Sequence, residues 1–343
     1  MIDALRSIAD VWRKMPSEHH ARVFLEGLIW PTGRVCPHCG GVRSVRLRGD
    51  SVRAGLYQCR ETGCRGQFTV TTKTPLHATE LDLRVWICAV VLVLTSSKGI
   101  SSVVMARLLG VNQKTAWKLG HAIRELMDDR HGEYPLLEGA VEADEGYLGG
   151  APKSLSGAAA PRGGSTTRPI VFVAADREGR ARAAVVPDGT GATLGAKLAE
   201  WTDPDTAWLM TDGNPAYAAV GQQMQGHSKV IHSRGQHANP VTGAHVNTAE
   251  VVISMLRRAL IGVYHTLPPP HLQRYVDEVV WRWNHREPAG EKTVQRMGRS
   301  GYVRAKTTTI WKQLPVVEQM RALLQGAVGR QVRRSACYGL RWP

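Results

Sequence analysis

Apolar positions in the first thirty residues recur at helical spacing, Leu5, Ile8 and Trp12 and then Val23, Phe24 and Leu28. That period predicts one or two short amphipathic helices. Another helix is predicted over roughly 83–96, where VWICAVVLVLTSS is apolar on every side. Two more follow, from Ser101 to Leu109 and from Asn112 to about Met127. From Leu136 the period changes. VEADEGYLG, PIVFVAAD, RARAAVV, AWLMTD and KVIHS read as five strands, with TLGAKLAEWT as a helix between the third and fourth. A long amphipathic helix follows Val246, and LQRYVDEVVWRWNHRE forms another after the prolines 268–270. Strands alternating with helices make the fold class α/β. GGAPKSLSGAAAPRGGSTTR, between the first two strands, is rich in small residues and carries Lys153, Arg162 and Arg168, which predicts a flexible basic loop. The stretch beyond Pro288 is Arg-rich, and its pattern assigns no element.

Charge narrows the class of partner. Among 343 residues, 44 Lys and Arg oppose 29 Asp and Glu, a formal net charge of +15. An excess of that size favours a polyanion, nucleic acid ahead of a membrane surface. The longest apolar stretch is too short to span a bilayer. MIDALRSIADVWRKM carries acids and lacks the apolar core of a signal peptide. The expected location is therefore the reducing cytoplasm, in association with the nucleoid, where paired cysteines bind metal more often than they form disulfides.

Cys36-Pro-His-Cys39 and Cys59-Arg-Glu-Thr-Gly-Cys64 are such pairs, with nineteen residues between them. Four thiolates at two turn tips suit one tetrahedral Zn²⁺, and VRSVRLRGDSVRAGLYQC between them alternates like a ribbon. His38 is a competing ligand, but four thiolates suffice. Cys88 falls in the apolar helix as a core thiol, and nothing assigns Cys337.

The helices on either side of Gly110-Val111 have helix-turn-helix spacing. Gly110 suits the turn, and Asn112 suits the N-cap of the second helix. Gln113, Lys114, Thr115 and Lys118 would then face outward near that helix's start, where base and phosphate contacts are made. An ordinary helical hairpin with a solvated face fits the same pattern.

Three acidic segments far apart in the chain carry the reactive chemistry. Asp144 lies toward the end of the first strand and Asp212 at the end of the fourth, with Gly213 letting the chain turn away. Glu250 and Asn247 are three apart on the following helix and share a face. Two strand-borne carboxylates and one helical ligand can hold two Mg²⁺ or Mn²⁺ ions about 4 Å apart, the arrangement that cuts and joins phosphodiesters. Arg257, on nearly the same helical face, is a candidate phosphate holder. Taken singly, each acid is also what a solvated turn or cap would carry. Glu145 is a weaker candidate because alternation points it to the opposite strand face, and Glu142 shares the face of Asp144 but sits deeper, as a candidate supporting acid behind the ligands. His227, His232, His237 and His245 fit no standard ligand spacing, which favours a loop near DNA over a second metal site. Trp281 and Trp283 are expected to pack the last helix, with Arg282 within reach of phosphate.

Taken in order, WPTGRVCPHCG, KGISSVVMARLLGVNQKTAW, ADEGYLGG, TDGNPAY and HVNTAEVVISMLRRALIGVYHTLPPPHLQRYVDEVVWRWNHR resemble the IS1595 type of bacterial insertion-sequence transposase, with an ISXO2-like catalytic domain. The resemblance runs from about residue 20 to 286. It implies an RNase H-like mixed sheet preceded by a zinc ribbon and a helix-turn-helix, and DNA strand cleavage and transfer at transposon ends. Carried over, the family's positions are Asp144, Asp212 and either Asn247 or Glu250, with Arg257 where the family has Lys. The implied organisation is a helical segment over 1–34, a zinc ribbon over 35–75, the DNA-binding helices over 80–130, the catalytic domain over 136–290 and a basic tail over 291–343. Partners would be transposon-end and target DNA, with at least a dimer on DNA. A non-catalytic DNA-binding descendant and a nuclease of the same fold are the rivals.

Overall fold

The computed structural model describes residues 5–129, 134–149, 168–230, 238–239, 242–297, 303–331, 333–335 and 339–341. The loop bearing Lys153 and Arg162 lies outside them, as do His232, His237 and Cys337.

Helix α1 (Ile8–Lys14) starts at a capping box in which Ser7 and Asp10 satisfy each other's backbone amides. Helix α2 (Glu18–Ile29) follows, burying Phe24, Leu25 and Leu28, whereas Trp12 and Val23 are exposed. Three short antiparallel strands come next, β1 (Ser44–Arg46), β2 (Tyr57–Cys59) and β3 (Gln67–Phe68). Trp30 meets Tyr57 and Phe68 edge-on, with centroids 5.8 and 5.9 Å away, and so fixes this small sheet to the end of α2. Helix α3 (Leu83–Thr95) buries residues on all sides, including Trp86, Cys88 and Val91. A helix apolar all round belongs at the centre of a core. No helix among the described residues is long and apolar enough to cross a membrane. Helices α4 (Ser102–Leu109) and α5 (Gln113–Glu125) are joined at Gly110, whose φ of +66° is one that glycine adopts without strain. Ser101 and Asn112 cap the two helices through the amides of Val104 and Thr115.

A five-stranded sheet follows, built from β4 (Leu137–Tyr147), β5 (Ile170–Asp176), β6 (Ala181–Val186), β7 (Thr202–Thr211) and β8 (Gly226–Lys229). Its order is β6-β5-β4-β7-β8. β5 runs antiparallel to both neighbours, while β4, β7 and β8 are parallel. Helix α6 (Gly191–Trp201) lies between β6 and β7, and the short helix α7 (Ala218–Gly221) precedes β8. All seven residues of β5 are buried, which is why its sequence shows no alternation. One sheet face packs on α6 through Val141, Ala143, Phe172, Leu194 and Leu198. The other packs on α8 (Asn247–Ala259) and α9 (Leu272–Asn284) through Val171, Val173, Val252, Ile253 and Val276. The fifth strand lies three residues earlier than KVIHS predicts. GHSK is polar, but an edge strand tolerates polar residues, and Trp208 reaches across to lie against Gly226 and donate to Ser228 Oγ at 2.9 Å.

The segment beyond Pro288 is ordered into a long antiparallel hairpin, β9 (Arg286–Met297) and β10 (Val303–Gln313), and helix α10 (Val316–Gln325), with a last short strand pair, β11 (Arg333–Ser335) and β12 (Gly339–Arg341). Met320, Leu323 and Leu324 of α10 enter the same apolar cluster as Phe24 and Val91. Arg330, 2% exposed, donates to the carbonyls of Glu125, Leu126 and Asp128. The end of the chain thus closes the core that the first helices open.

α5 and α9 are joined by buried ions. Arg124 Nε donates to Glu278 at 2.6 Å, Arg282 donates to the same carboxylate, and Tyr264 lies 3.0 Å from Arg124. Burial would raise the pKa of Glu278, but the two guanidiniums outweigh it and hold the carboxyl down at about 2. Arg282, expected to reach phosphate, is 3% exposed and also donates to Val93 O. It is an internal counter-ion, and the apolar side of α9 that buries it could not have been assigned to a partner from periodicity alone.

Candidate active site

The site is built on the pleat of β4. Glu142 and Asp144 point toward α8, and Glu145 points toward the α6 side, as strand alternation requires. Glu142 is fully buried, and its Oε2 accepts the amide of Thr248 at 2.6 Å. Val246 offers α8 no side-chain cap, so Glu142 supplies the missing acceptor and a negative charge at the positive helix end. His245 Nδ1 lies 2.9 Å from the same carboxylate, and Arg177 Nε lies 3.4 Å away. These contacts fix the start of α8, which carries Asn247 and Glu250, against the strand that carries Asp144.

Glu145 does the equivalent for Asp212. The Asp212 carboxylate accepts the amide of Asn214 at 2.9 Å, folding the chain sharply after β7. The Asn214 side chain accepts from Ala216 N at 3.0 Å and donates to Glu145 at 2.6 Å. Tyr217 donates to the other Glu145 oxygen. Burial, and then the Glu145 charge, push the Tyr217 phenol up and keep it a donor. ADEG and TDGNPAY, sixty-odd residues apart, therefore hold each other in place.

Asp144 feels the result. Burial and then the charges of Glu145, Asp212 and Glu250 push its carboxyl up to about 7. Among the described residues, the cysteines form the only group of three or more possible ligands whose donor atoms all lie within 4.8 Å of one another. Asn247 and Glu250 are both exposed in the first turn of α8. Arg257, also exposed, lines a cleft of about 520 Å³ with Tyr147, Arg168, Ile261 and His265.

At the small sheet, Cys36 and Cys64 Sγ are 3.8 Å apart, and Cys39 and Cys59 Sγ are 3.7 Å apart. A tetrahedral ion with about 2.3 Å metal–sulfur bonds has edges of about 3.8 Å. Amides of Gly41 and Glu61 point at Cys39 and Cys59 sulfur, both at 3.4 Å. His38 turns away, with Nε2 3.1 Å from Gln67 O.

Two family models match. Residues 136–284 fit the ISXO2-like transposase domain, and residues 16–67 fit the transposase zinc-ribbon domain. Together they take in more than half of the 343 residues. The chain belongs to the IS1595 family of transposases. No curated protein matches it.

In this transposase the four clustered cysteines all lie within the zinc-ribbon domain, 16–67. Of the outward residues expected on α5, Gln113, Lys114 and Lys118 are exposed and Thr115 is half-buried. Gln113 also donates to Ser102 Oγ at 2.8 Å, tying the start of α5 to α4. Cys88 is buried, and its thiol is pushed up to about 11 by desolvation. His227 pairs with Thr211 at 2.8 Å and His245 lies against Glu142, so both serve the strands and helix around the acids. The supporting place of Glu142 was open to the sequence, but the partners that hold Glu142 and Glu145, Thr248 for the first and Asn214 and Tyr217 for the second, were not, because they are distant in the chain. Arg168 and His265, which the sequence did not single out as site residues, line the cleft that Arg257 also lines.

Proposed function

We propose that the chain is a DNA transposase that binds transposon ends and catalyses metal-dependent strand cleavage and strand transfer. One observation carries this: carboxylates from β4, the end of β7 and α8 act together on Asp144. Such mutual repulsion is relieved by divalent cations, and two Mg²⁺ or Mn²⁺ ions would stabilise both the attacking and the leaving oxygen. Asp144, Asp212 and Glu250 or Asn247 would hold them. In the first step a water oxygen attacks phosphorus and the P–O3′ bond breaks, leaving a 3′-OH on the transposon end and a 5′-phosphate on the flank. In the second step that 3′-OH attacks a target phosphodiester and displaces the target's 3′ oxygen. Arg257, with Arg168 and His265, binds the phosphodiester backbone beside the reacting group. As a guanidinium, Arg257 holds charge but transfers no proton.

The β6-β5-β4-β7-β8 order, with only β5 and its pairings antiparallel, supports an RNase H-like domain over about 136–290. The zinc ribbon over 35–75 would hold one structural Zn²⁺, and α4 and α5, within 80–130, would act as a helix-turn-helix on end DNA. Residues 1–34 form a helical lead-in, and 291–343 follow the catalytic domain. Two ends must be handled together, so a homodimer or larger assembly on nucleoid DNA is proposed. The test is a strand-transfer assay with end-containing DNA, a target plasmid and Mg²⁺ or Mn²⁺. Joined product is expected from the wild type and none from Asp212→Ala. Nicking without joining would identify a nuclease, and binding without either would identify a non-catalytic protein.

A further inference from the structure

Helix α8 runs on into one wider, π-helical turn over Leu260–Tyr264, closed by the His265 amide donating to Leu260 O at 2.6 Å. Such turns are rare and recur at functional sites. His265 ends it at a φ of +58°, a conformation uncommon outside glycine. The turn keeps Leu260 buried and leaves Ile261 74% exposed, the most exposed large apolar side chain among the described residues. A single apolar residue on a surface needs no explanation by itself. Ile261, however, lines the cleft of about 520 Å³ that Arg257 and Arg168 also line.

The lining of that cleft is of two kinds. Tyr147, Leu260 and Ile261 offer apolar surface, while Arg168, Arg257 and His265 offer donors. The Arg168 Nε is buried and has no hydrogen-bond partner among the described residues. A phosphate alone needs the guanidiniums, but it needs neither an apolar wall nor a volume within the roughly 300–1,000 Å³ of sites that enclose small organic molecules. A phosphate joined to a base uses all of these. The position suits a strand that also passes the acids. Tyr147 ends β4 three residues past Asp144, about 10 Å along the strand. Arg257 lies seven residues past Glu250, about 10.5 Å along α8. At about 3.4 Å of duplex axis per nucleotide of one strand, either path leads about three nucleotides from the acids.

We propose that this cleft takes one nucleotide unstacked from the transposon-end duplex, about three positions from the scissile phosphate. Its phosphate lies on Arg257 and Arg168, its base against Tyr147 and Leu260, and Ile261 fills its place in the stack. The inference rests on the transposase reading of the acidic site and adds a base-holding role to it. Apolar side chains such as isoleucine act as wedges that unstack a base step, and a base drawn out is held between apolar and aromatic side chains. Capturing one base would fix the register of the end on the metal ions, so that the cut falls at a single phosphodiester.

2-Aminopurine, a base that brightens when it leaves the stack, tests this. It is placed in turn at each position flanking the cut in end-containing duplex and bound by full-length Asp212→Ala, which leaves the DNA uncut. A several-fold rise is expected at one position about three nucleotides from the cut, and Ile261→Ser in the same background should abolish it. With Asp212 intact, Ile261→Ser should slow cleavage by about 10–100-fold, the worth of unstacking one base. DNA mispaired at that position should restore the rate, because a mispaired base costs least to draw out. Ile261 is exposed, so serine there should leave the fold intact, which a thermal melt checks. Cleavage by the wild type with no rise at any position overturns the pocket and leaves the transposase standing, as does a rise that Ile261→Ser leaves unchanged. A cleavage defect that mispairing does not relieve gives Ile261 another role and also overturns the proposal. A wild type that cleaves no end DNA in Mg²⁺ or Mn²⁺ overturns both.

Discussion

Asn247 and Glu250 stand one helical turn apart, and both are exposed at the start of α8. Their chemistry differs at the point that matters. Glu250 contributes to the repulsion that raises Asp144, and Asn247 carries no charge to do so. A cation bound between the acids gains most from the group that was repelling them. Glu250→Ala should therefore lose DNA cleavage by more than the 10–100-fold typical of disturbing a residue behind the metal ligands, and Asn247→Ala by no more than that range. Parallel cleavage assays in Mn²⁺ decide it, and the reverse order would give the position to Asn247. At this scale the placement of Asp144 on β4 and of Asp212 directly after β7 was legible, since each is an acid at or near the end of an apolar strand. Alternation also separated Glu142 from Glu145. Which groups those two meet was not legible, because alternation names a face but not the distant residues that reach it.

Elements were more readable than the joints between them. The turn at Gly110 and the cap at Asn112 follow from local chemistry, and the structure has both. The contact of α5 with α9 rests on polar side chains inside an amphipathic pattern, which the sequence displays as ordinary helix polarity. His121 sits there fully buried, 4.3 Å from the Trp117 centroid and 4.9 Å from that of His271. Burial, then Arg124 and Arg274, press its pKa down to about 2 from 6.5. The unfolded chain therefore binds a proton below pH 6.5 that the folded chain refuses until about pH 2, and stability falls as pH drops through that window. Glu278, lowered to about 2 from 4.5, adds a loss of the same sign that begins only below its unfolded value. His121→Phe keeps the ring and removes the proton site. It should flatten the fall in melting temperature between pH 6.5 and 4.5, and below pH 4.5 leave only the part of the fall that Glu278 and other carboxylates contribute. An unchanged slope in the upper interval would place the titrating group elsewhere.

On the scale of the whole molecule, the informative fact is which residues share a core. Cys36, Cys59, Tyr57 and Phe68 of the ribbon lie in one apolar cluster with Leu25 of α2, Val91 of α3 and Met320 of α10. The paired cysteines were plain in the sequence. The return of α10 was not, because its apolar positions lie in an Arg-rich tail and their partners are nearly three hundred residues upstream. A structural zinc site supplies binding energy on the order of 10 kcal/mol to a module too small to fold alone. Here the module is not alone, so losing the metal should spread along the shared cluster. One Zn per chain is expected by metal analysis, and Cys36→Ser should lose it. Hydrogen exchange on that variant should then show reduced protection in α2 and α10 as well as in β2. Strands β5 and β7 pack on separate clusters with α6, α8 and α9, and should keep theirs. Loss confined to the ribbon would mean that the closing helix stabilises the first helices without it. Loss throughout the sheet would mean that the buried Arg124–Glu278 joint carries the damage from one core to the next.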